Sequence, residues 1–170
     1  MTTVRPATVD DADGMGRVHA SASQSAYRGI MPDDYLASFS AAKQAGRWRR
    51  ELSEGADAVI LVAEDDAGGI VGIAAVGDDR SAPGSATGEV RMLNVAPASW
   101  GTGIGTALLH AAVRHLKELG FAEAVLWVLE ENGRARRFYE REGWAGDGAV
   151  KEDQRPGFVL RQVRYRLQLG

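Results

Sequence analysis

The sequence predicts an α/β fold, with a mixed, largely antiparallel sheet and helices on both faces. An apolar run at residues 89–95, an amphipathic segment at 104–119 and a second apolar run at 122–129 form a strand–helix–strand unit. Because a crossover of this kind joins parallel strands, these two strands should lie parallel to each other. Apolar runs at 58–64 and 70–76 flank a short turn-forming segment, and they predict an antiparallel hairpin.

The two ends of the chain add further elements to this centre. Residues 2–8 predict a strand that contains a proline, and Asp10 is expected to cap a helix that runs to Ala26. The C-terminal segment 158–169 alternates between apolar and polar side chains from Val163 onward, which predicts a strand buried on one side. Shorter helices are predicted at 33–39, 41–52 and 132–142, and an exposed polar loop at 77–88.

Length and composition restrict the class of protein. The chain has 170 residues and is most economically a single domain, 1–170, and its net charge of −3 argues against a general nucleic-acid binder. The absence of cysteine excludes disulfides, cysteine metal sites and a thiol acyl-enzyme. No segment reads as a signal peptide or a membrane span, and the three histidines lack metal-ligand spacing. We therefore expect a cytoplasmic protein without a metal or a membrane partner.

The turn between the central strand and helix carries the clearest functional signal. Pro97 ends the strand, Gly101, Gly103 and Gly105 follow at alternate positions, and the helix begins directly after them. The free N–H groups and the dipole of a helix N-terminus favour anions, and glycine lets a ligand approach the backbone closely. The pattern therefore predicts a site for a phosphate-bearing cofactor.

Two common phosphate loops do not fit this turn. A Walker A loop needs a Gly-Lys-Ser/Thr sequence, and a dinucleotide fingerprint needs a glycine where Thr106 stands. The turn resembles instead the acetyl-CoA loop of the GCN5-related N-acetyltransferases, the GNAT family, whose pattern is Arg/Gln-x-x-Gly-x-Gly/Ala. Gly103 and Gly105 match the two glycines, whereas Trp100 stands where the family has Arg or Gln.

A second stretch carries the same resemblance. Asn132, Ala135 and Tyr139 are spaced by three and four residues, so they share one helix face. The run is similar to the family pattern Asn-x-x-Ala-x-x-Phe/Tyr-Tyr-x-x-x-Gly-Phe, with Trp144 in place of the final Phe. Both motifs occur in the family's order, and the resemblance is close over residues 89–144.

The resemblance implies that acetyl-CoA is the co-substrate. It also implies that the two parallel strands splay apart and that the pantetheine arm of the cofactor enters the gap between them. The residues it assigns to cofactor binding are Asn94, Val95, Ala96, Trp100, Gly101, Thr102, Gly103, Ile104, Gly105, Thr106, Asn132 and Ala135. Arg134, Arg136 and Arg137 on the last helix either reach the 3′-phosphate of the cofactor or form a solvated face.

The resemblance further implies a catalytic pair. Tyr139 matches the tyrosine that lies near the thioester sulfur, so it is expected to protonate the leaving thiolate. Glu89 matches a carboxylate base that acts directly or through water, and a backbone N–H near Val95 is expected to meet the acetyl oxygen. Tyr27 is a candidate residue on the acceptor side. The plainer alternatives stay open: packing roles for the two tyrosines and a solvated carboxylate at Glu89.

We therefore expect an acetyl-CoA-dependent N-acetyltransferase that acetylates a primary amine of a small molecule, or of a protein or peptide, in a ternary complex. The alternative is a non-catalytic module that binds or senses acyl-CoA, because such a module would not need Tyr139 and Glu89. Residues 20–50 and 77–88 should shape the acceptor pocket, although no residue there identifies the amine. For the oligomeric state, the resemblance favours a homodimer over other assemblies.

Overall fold

The computed structural model describes residues 2–170 and shows a seven-stranded mixed sheet with five helices among them. The strands are β1 (Thr3–Pro6), β2 (Val59–Glu64), β3 (Ile70–Asp78), β4 (Thr87–Val95), β5 (Glu123–Leu129), β6 (Ala145–Arg155) and β7 (Phe158–Gln168). The helices are α1 (Ala12–Ala26), α2 (Asp33–Ala37), α3 (Ala41–Glu54), α4 (Ile104–Glu118) and α5 (Gly133–Arg141), with 3-10 turns at Val9–Asp11 and Pro97–Ser99.

The sheet has the strand order β1-β2-β3-β4-β5-β7-β6. Every neighbouring pair is antiparallel except β4 and β5, which α4 connects as a crossover helix. The β6–β7 hairpin completes the sheet, and β7 lies between β5 and β6. The predicted mixed, largely antiparallel sheet with one parallel pair is confirmed.

The parallel pair is short. β4 and β5 pair only at Thr87 with Glu123, Gly88 with Ala124, and Glu89 with Val125. Beyond these pairs, residues 90–95 and 126–129 have no pairing with each other, although β4 stays paired with β3 and β5 stays paired with β7. The two strands therefore diverge and leave the gap that the sequence led us to expect.

Helices cover both faces of the sheet. On one face, the apolar side of α4 buries Leu108 and Leu116 together with Leu126 of β5. On the other face, α1 and α3 bury Met15 and Trp48. The two helices touch at Gly16, where a Cβ atom would lie 2.4 Å from the carbonyl oxygen of Ala41. Only glycine permits this close contact between α1 and α3.

The structure corrects the predicted start of the first helix. Asp10 is not the N-cap, because the carboxylate of Asp11 accepts a hydrogen bond from the N–H of Thr8 at 2.8 Å and builds a 3-10 turn ahead of α1. Both oxygens of Asp11 also bind Arg5, each at 2.9 Å. The ion pair with β1 favours Asp11 over its neighbour at this position.

The loop predicted at 77–88 is shorter than expected. β3 and β4 stay paired as far as Asp78 and Gly88, so the irregular segment covers only residues 79–86. Gly77 and Gly88 favour turns, but their pairing within β3 and β4 keeps both residues in the sheet.

Within residues 2–170, no helix has both the length and the apolar character that crossing a membrane requires. The same residues contain no group of three or more His, Asp or Glu placed to hold a metal ion.

Candidate active site

A cleft of about 840 Å³ opens where β4 and β5 diverge. Residues 91–95 of β4 form part of one wall, and residues 127–129 of β5 form part of the other. The inner side of α1, the glycine turn before α4 and one side of α5 complete the lining. The cleft therefore joins the two sequence motifs with the N-terminal helix.

The N-terminus of α4 presents open backbone donors to this cleft. The first intrahelical hydrogen bond runs from the N–H of Ala107 to the carbonyl of Gly103 at 3.0 Å, so the three preceding N–H groups have no acceptor in the helix. Gly103 has φ +89°, a conformation that favours glycine, and a Cβ atom there would meet nothing within 4 Å. Because the dipole and these N–H groups favour negative charge, this end of the cleft fits a phosphate.

Trp100 lies in this turn, and two contacts hold its side chain. The indole Nε1–H donates a hydrogen bond of 2.8 Å to the carbonyl of Val95. The guanidinium carbon of Arg134, on α5, lies 3.7 Å from the centroid of the indole ring. The pKa of Arg134 is lowered, first by burial and second by the charge of the nearby Arg141. Both arginines line the cleft.

The open edge of β4 gives the cleft a backbone donor. The N–H of Ala96 bonds to Val71, so Ala96 faces β3, and successive residues of an extended chain point to opposite sides. Val95 therefore directs its backbone groups into the gap, where its carbonyl meets Trp100. The N–H of Val95 is therefore open to the cleft.

Tyr139 lies at the inner end of the cleft with only 9% of its surface exposed. Its ring packs edge-to-face against Phe138 and Trp144, with centroid separations of 5.3 and 6.3 Å. Burial raises the pKa of its phenol, and the nearby Tyr27 adds to this effect. The hydroxyl has no hydrogen-bond partner among residues 2–170, which leaves it free to meet a ligand.

The acceptor-side candidate Tyr27 also lines the cleft, at the end of α1. Ser23 lines it from one turn earlier and His19 from two turns earlier, and the three residues share a helix face. His19 was not among the site residues predicted from the sequence, although its spacing of four from Ser23 and eight from Tyr27 is a signal that could have found it. Burial and the charge of Arg47 lower the pKa of His19 to about 4, so its imidazole is neutral near pH 7.

Glu89 does not line the cleft. The residue is 2% exposed, and its carboxylate accepts hydrogen bonds from Arg80 at 3.1, 3.1 and 2.8 Å. Burial opposes ionisation of this carboxyl, but the contacts with Arg80 outweigh burial and hold its pKa below the usual value. The structure thus places Glu89 behind the strand wall, in an ion pair.

The cleft brings together most of the residues predicted to bind the cofactor: Asn94, Val95, Trp100, Gly101, Gly103, Gly105, Thr106, Asn132 and Ala135. Ala96, Thr102 and Ile104 do not line it. Ala96 turns its N–H toward β3, and Thr102 donates its hydroxyl to the carbonyl of Ser99. The side chain of Ile104 is buried under α4, while its N–H is one of the open helix donors.

The three arginines of α5 have different surroundings. Arg136 donates to the hydroxyl of Tyr165 at 3.1 Å and to the carbonyl of Glu130 at 3.0 Å. Arg137 is exposed and lies outside the cleft lining, so it belongs to the solvated face. Only Arg134 of the three lines the cleft.

The charge of the cleft wall is one-sided. Among residues 2–170, the lining includes Arg91, Arg134 and Arg141 but no aspartate or glutamate. The charge of Arg91 is compensated by an ion pair, because its Nη2 binds the carboxylate of Asp78 at 2.7 Å. The other two arginines face the cleft without an acidic partner among the described ion pairs, so the site favours an anionic ligand.

Comparisons with known proteins agree with this site. The model of the acetyltransferase (GNAT) family matches residues 25–144. The uncharacterized N-acetyltransferase YuaI of Bacillus subtilis (strain 168) is 30% identical over 132 residues, which cover 78% of this chain and 74% of YuaI.

Two solved structures share the fold. The PaiA N-acetyltransferase of Thermoplasma acidophilum, in complex with coenzyme A, has a TM-score of 0.74 at 19% identity and covers 99% of both chains. YncA of Salmonella typhimurium, with its cofactor acetyl-CoA, has a TM-score of 0.73 at 23% identity and covers 100% of this chain and 95% of YncA. Taken with the family match over residues 25–144, these likenesses show that the chain belongs to the acetyltransferase (GNAT) family.

Proposed function

We propose that this acetyltransferase transfers the acetyl group of acetyl-CoA directly to a primary amine of a small molecule, or of a protein or peptide, in a ternary complex. The observation that carries the proposal is the continuity of one cleft from the open N-terminus of α4 to the hydroxyls of Tyr139 and Tyr27. A ligand with phosphates at one end and a reactive group at the other fits this arrangement.

The residues of the cleft fit acetyl-CoA in particular. The N–H groups at the start of α4 and the guanidinium of Arg134 would hold its phosphates. The open edge of β4 at Val95 offers backbone groups to an extended, amide-bearing arm, and Asn94 lines the same wall. PaiA and YncA, which share the fold, were solved with coenzyme A and acetyl-CoA. These points support acetyl-CoA over a nucleotide that lacks such an arm.

The chemistry of acyl transfer assigns roles to two groups of this chain. Bound acetyl-CoA supplies an activated acetyl group as a thioester. The phenol of Tyr139 is protonated at neutral pH and lines the cleft, so it would donate its proton to the departing sulfur. The N–H of Val95 would donate to the negative charge that develops on the acetyl oxygen.

The position of Glu89 limits how this residue can act as the general base. Because both of its carboxylate oxygens bind Arg80 and neither lies in the cleft lining, Glu89 can act on the acceptor only through water. Its lowered pKa keeps it ionised at neutral pH. We retain Glu89 in this indirect role.

The acceptor would enter between α1 and the strand wall. His19, Tyr27, Phe39 and Trp127 give this part of the cleft aromatic surfaces with neutral polar groups. No carboxylate in the described lining could bind a second cation, which disfavours polyamines. We propose an acceptor with one amine on an otherwise neutral or anionic body.

The experiment that tests this function has two steps. Calorimetric titration with acetyl-CoA, with NAD and ATP as controls, should show micromolar binding of acetyl-CoA alone. Release of free CoA should then be measured with monoamines, amino acids and α,ω-diamines of matched length, and the diamines should react most slowly. Binding without CoA release on any amine would favour the non-catalytic acyl-CoA module, and absence of binding would overturn the proposal.

A further inference from the structure

The glycine turn lacks a charged side chain. Residues 100–106 contain no arginine, lysine or histidine, and Trp100 occupies its first position. Backbone N–H groups and a helix dipole supply only partial positive charge. A ligand with two linked phosphates would therefore bind more tightly with a further cation from another part of the fold.

Arg134 brings that cation to the turn from α5. Its guanidinium carbon lies 3.7 Å from the centroid of the Trp100 ring, well inside the range of about 6 Å in which a cation is attracted to an aromatic face. The indole is itself held to β4 by its 2.8 Å hydrogen bond to Val95. Stacking on a fixed ring restricts the guanidinium while its N–H donors stay free at the ring's edge.

The surroundings of Arg134 lack negative charge. None of the ion pairs or side-chain hydrogen bonds described for residues 2–170 includes this side chain, and the nearest charge that perturbs it is the like charge of Arg141. Arg134, Arg141 and the open N–H groups of α4 all border the same cleft. Such a concentration of unpaired donors is stable only with an anion between them or with water screening.

We infer that Arg134, held on the indole of Trp100, binds the diphosphate of the cofactor and replaces the cationic side chain that the turn lacks. This inference rests on the proposed acetyl-CoA site. It assigns to Trp100 a positioning role, and it distinguishes Arg134 from the two arginines that follow it on the same helix.

The test is the affinity for coenzyme A measured by calorimetry, which does not depend on turnover. Arg134→Ala should weaken binding by about ten- to a hundredfold, the range expected for loss of a charge-assisted hydrogen bond. The matched control is Arg137→Ala, which removes the same charge from the exposed face of α5 and should leave the affinity within about twofold.

Two further ligands identify the phosphate. Dephospho-CoA retains the diphosphate but lacks the 3′-phosphate, so the penalty of Arg134→Ala should persist with it. Pantetheine lacks all phosphates, so its binding should not change. A penalty confined to intact coenzyme A would assign Arg134 to the 3′-phosphate, and a penalty equal for pantetheine would mean that the variant damages the cleft. Either result overturns the inference.

A rescue variant separates charge from structure. In Trp100→Arg/Arg134→Ala the turn regains its own guanidinium, and coenzyme A should bind at least tenfold more tightly than to Arg134→Ala alone. No recovery would contradict the replacement. If the unmodified protein fails to bind coenzyme A, the proposed function falls, whereas normal binding by Arg134→Ala overturns only the role of Arg134.

Discussion

The buried carboxylate of Glu89 is held by Arg80 through its backbone N–H, its Nε and its Nη2, at 3.1, 3.1 and 2.8 Å. Glu89 is 3% exposed at its side chain, whereas the side chain of Arg80 is 58% exposed. Glu89 is also the last residue of β4 that pairs with β5, so the ion pair lies where the two strands begin to diverge. The same contact decides how Glu89 can take part in catalysis.

Glu89→Gln tests the indirect base. The substitution keeps the shape of the side chain but removes its ability to accept a proton, so kcat should fall by about a hundredfold or more, with the Kd of acetyl-CoA unchanged. Arg80→Ala is the matched control, because it removes the partner and keeps the carboxylate. It should retain most of kcat and move the acidic limb of the pH–rate profile to higher pH, since burial then raises the pKa of Glu89 against the charge of Arg91 alone.

A different pattern would give Glu89 a structural role only. If both variants lose similar thermal stability, keep similar kcat values and leave the pH–rate profile in place, the ion pair holds the strand divergence and takes no part in proton transfer. Far-ultraviolet circular dichroism and the midpoint of thermal unfolding provide the required comparison.

Tyr139→Phe should separate catalysis from binding. Phenylalanine preserves the ring contacts with Phe138 and Trp144, so the cleft should remain intact. Loss of the phenolic proton should lower kcat by about a hundredfold to ten-thousandfold while the Kd of acetyl-CoA changes by less than about threefold. The measurement is steady-state CoA release together with calorimetry.

Tyr165→Phe is the control for this prediction. Its hydroxyl accepts from Arg136 at 3.1 Å in the same aromatic cluster, but the residue does not line the cleft. The control should lose stability by about 1 kcal/mol and retain kcat. An unchanged kcat in Tyr139→Phe would remove this phenol from the mechanism.

The central fold could be predicted because its signals are local. Periodic apolar spacing marked α4, and the crossover rule required that β4 and β5 be parallel, whatever the rest of the chain did. The two features corrected above, the helix start predicted at Asp10 and the extent of the 77–88 loop, depend on contacts with distant residues. The ion pair of Asp11 with Arg5, on another strand, is an example.

Site residues could be predicted where the backbone conformation requires a particular residue type. Residues that reach the cleft only through the packing of distant elements were harder to predict. Gly103 has a positive φ at a helix start, so the presence of glycine there was enough to predict the turn. His19 and Trp127 reach the cleft only because α1 and β5 lie across it, and no short pattern records that placement. The pairing of Glu89 with Arg80 joins residues nine apart across a loop, so the sequence offered the carboxylate without its partner.

Gly103→Val should abolish acetyl-CoA binding. The position has φ +89° and open space where its Cβ would stand, so a branched side chain both strains the turn and enters the cleft. The matched control is Gly120→Val at the opposite end of the α4 region, where φ is +91° and a Cβ atom also meets nothing within 4 Å. Both variants should lose stability by about 1 kcal/mol or more, because β-branched residues disfavour positive φ.

Only the variant at Gly103 should lose affinity, by at least a hundredfold in calorimetry. If the two valine variants bind acetyl-CoA equally well, the turn before α4 is not the phosphate site. If both lose binding in proportion to their stability, the effect comes from unfolding and the turn again has no special part.

His19 should make the stability of the protein depend on pH between about 4 and 6.5. The pKa of this imidazole is about 4 in the folded protein, against 6.5 for the unperturbed group, because burial and Arg47 disfavour its charged form. Above pH 6.5 both states are neutral and the group has no effect. As the pH falls below 6.5, the unfolded chain binds a proton that the folded protein does not, so the free energy of unfolding decreases until the pH reaches about 4.

The measurement is urea unfolding from pH 7.5 to pH 4.5 for the unmodified protein and for His19→Gln. The histidine should contribute a slope below the one-proton limit of about 1.4 kcal/mol per pH unit, since its ring is partly exposed to the cleft. His19→Gln should flatten the curve in this range, whereas the control His115→Gln, on α4 with a side chain 34% exposed, should leave it in place. Parallel curves for all three proteins would mean that the imidazole of His19 gains a proton as readily in the fold as outside it.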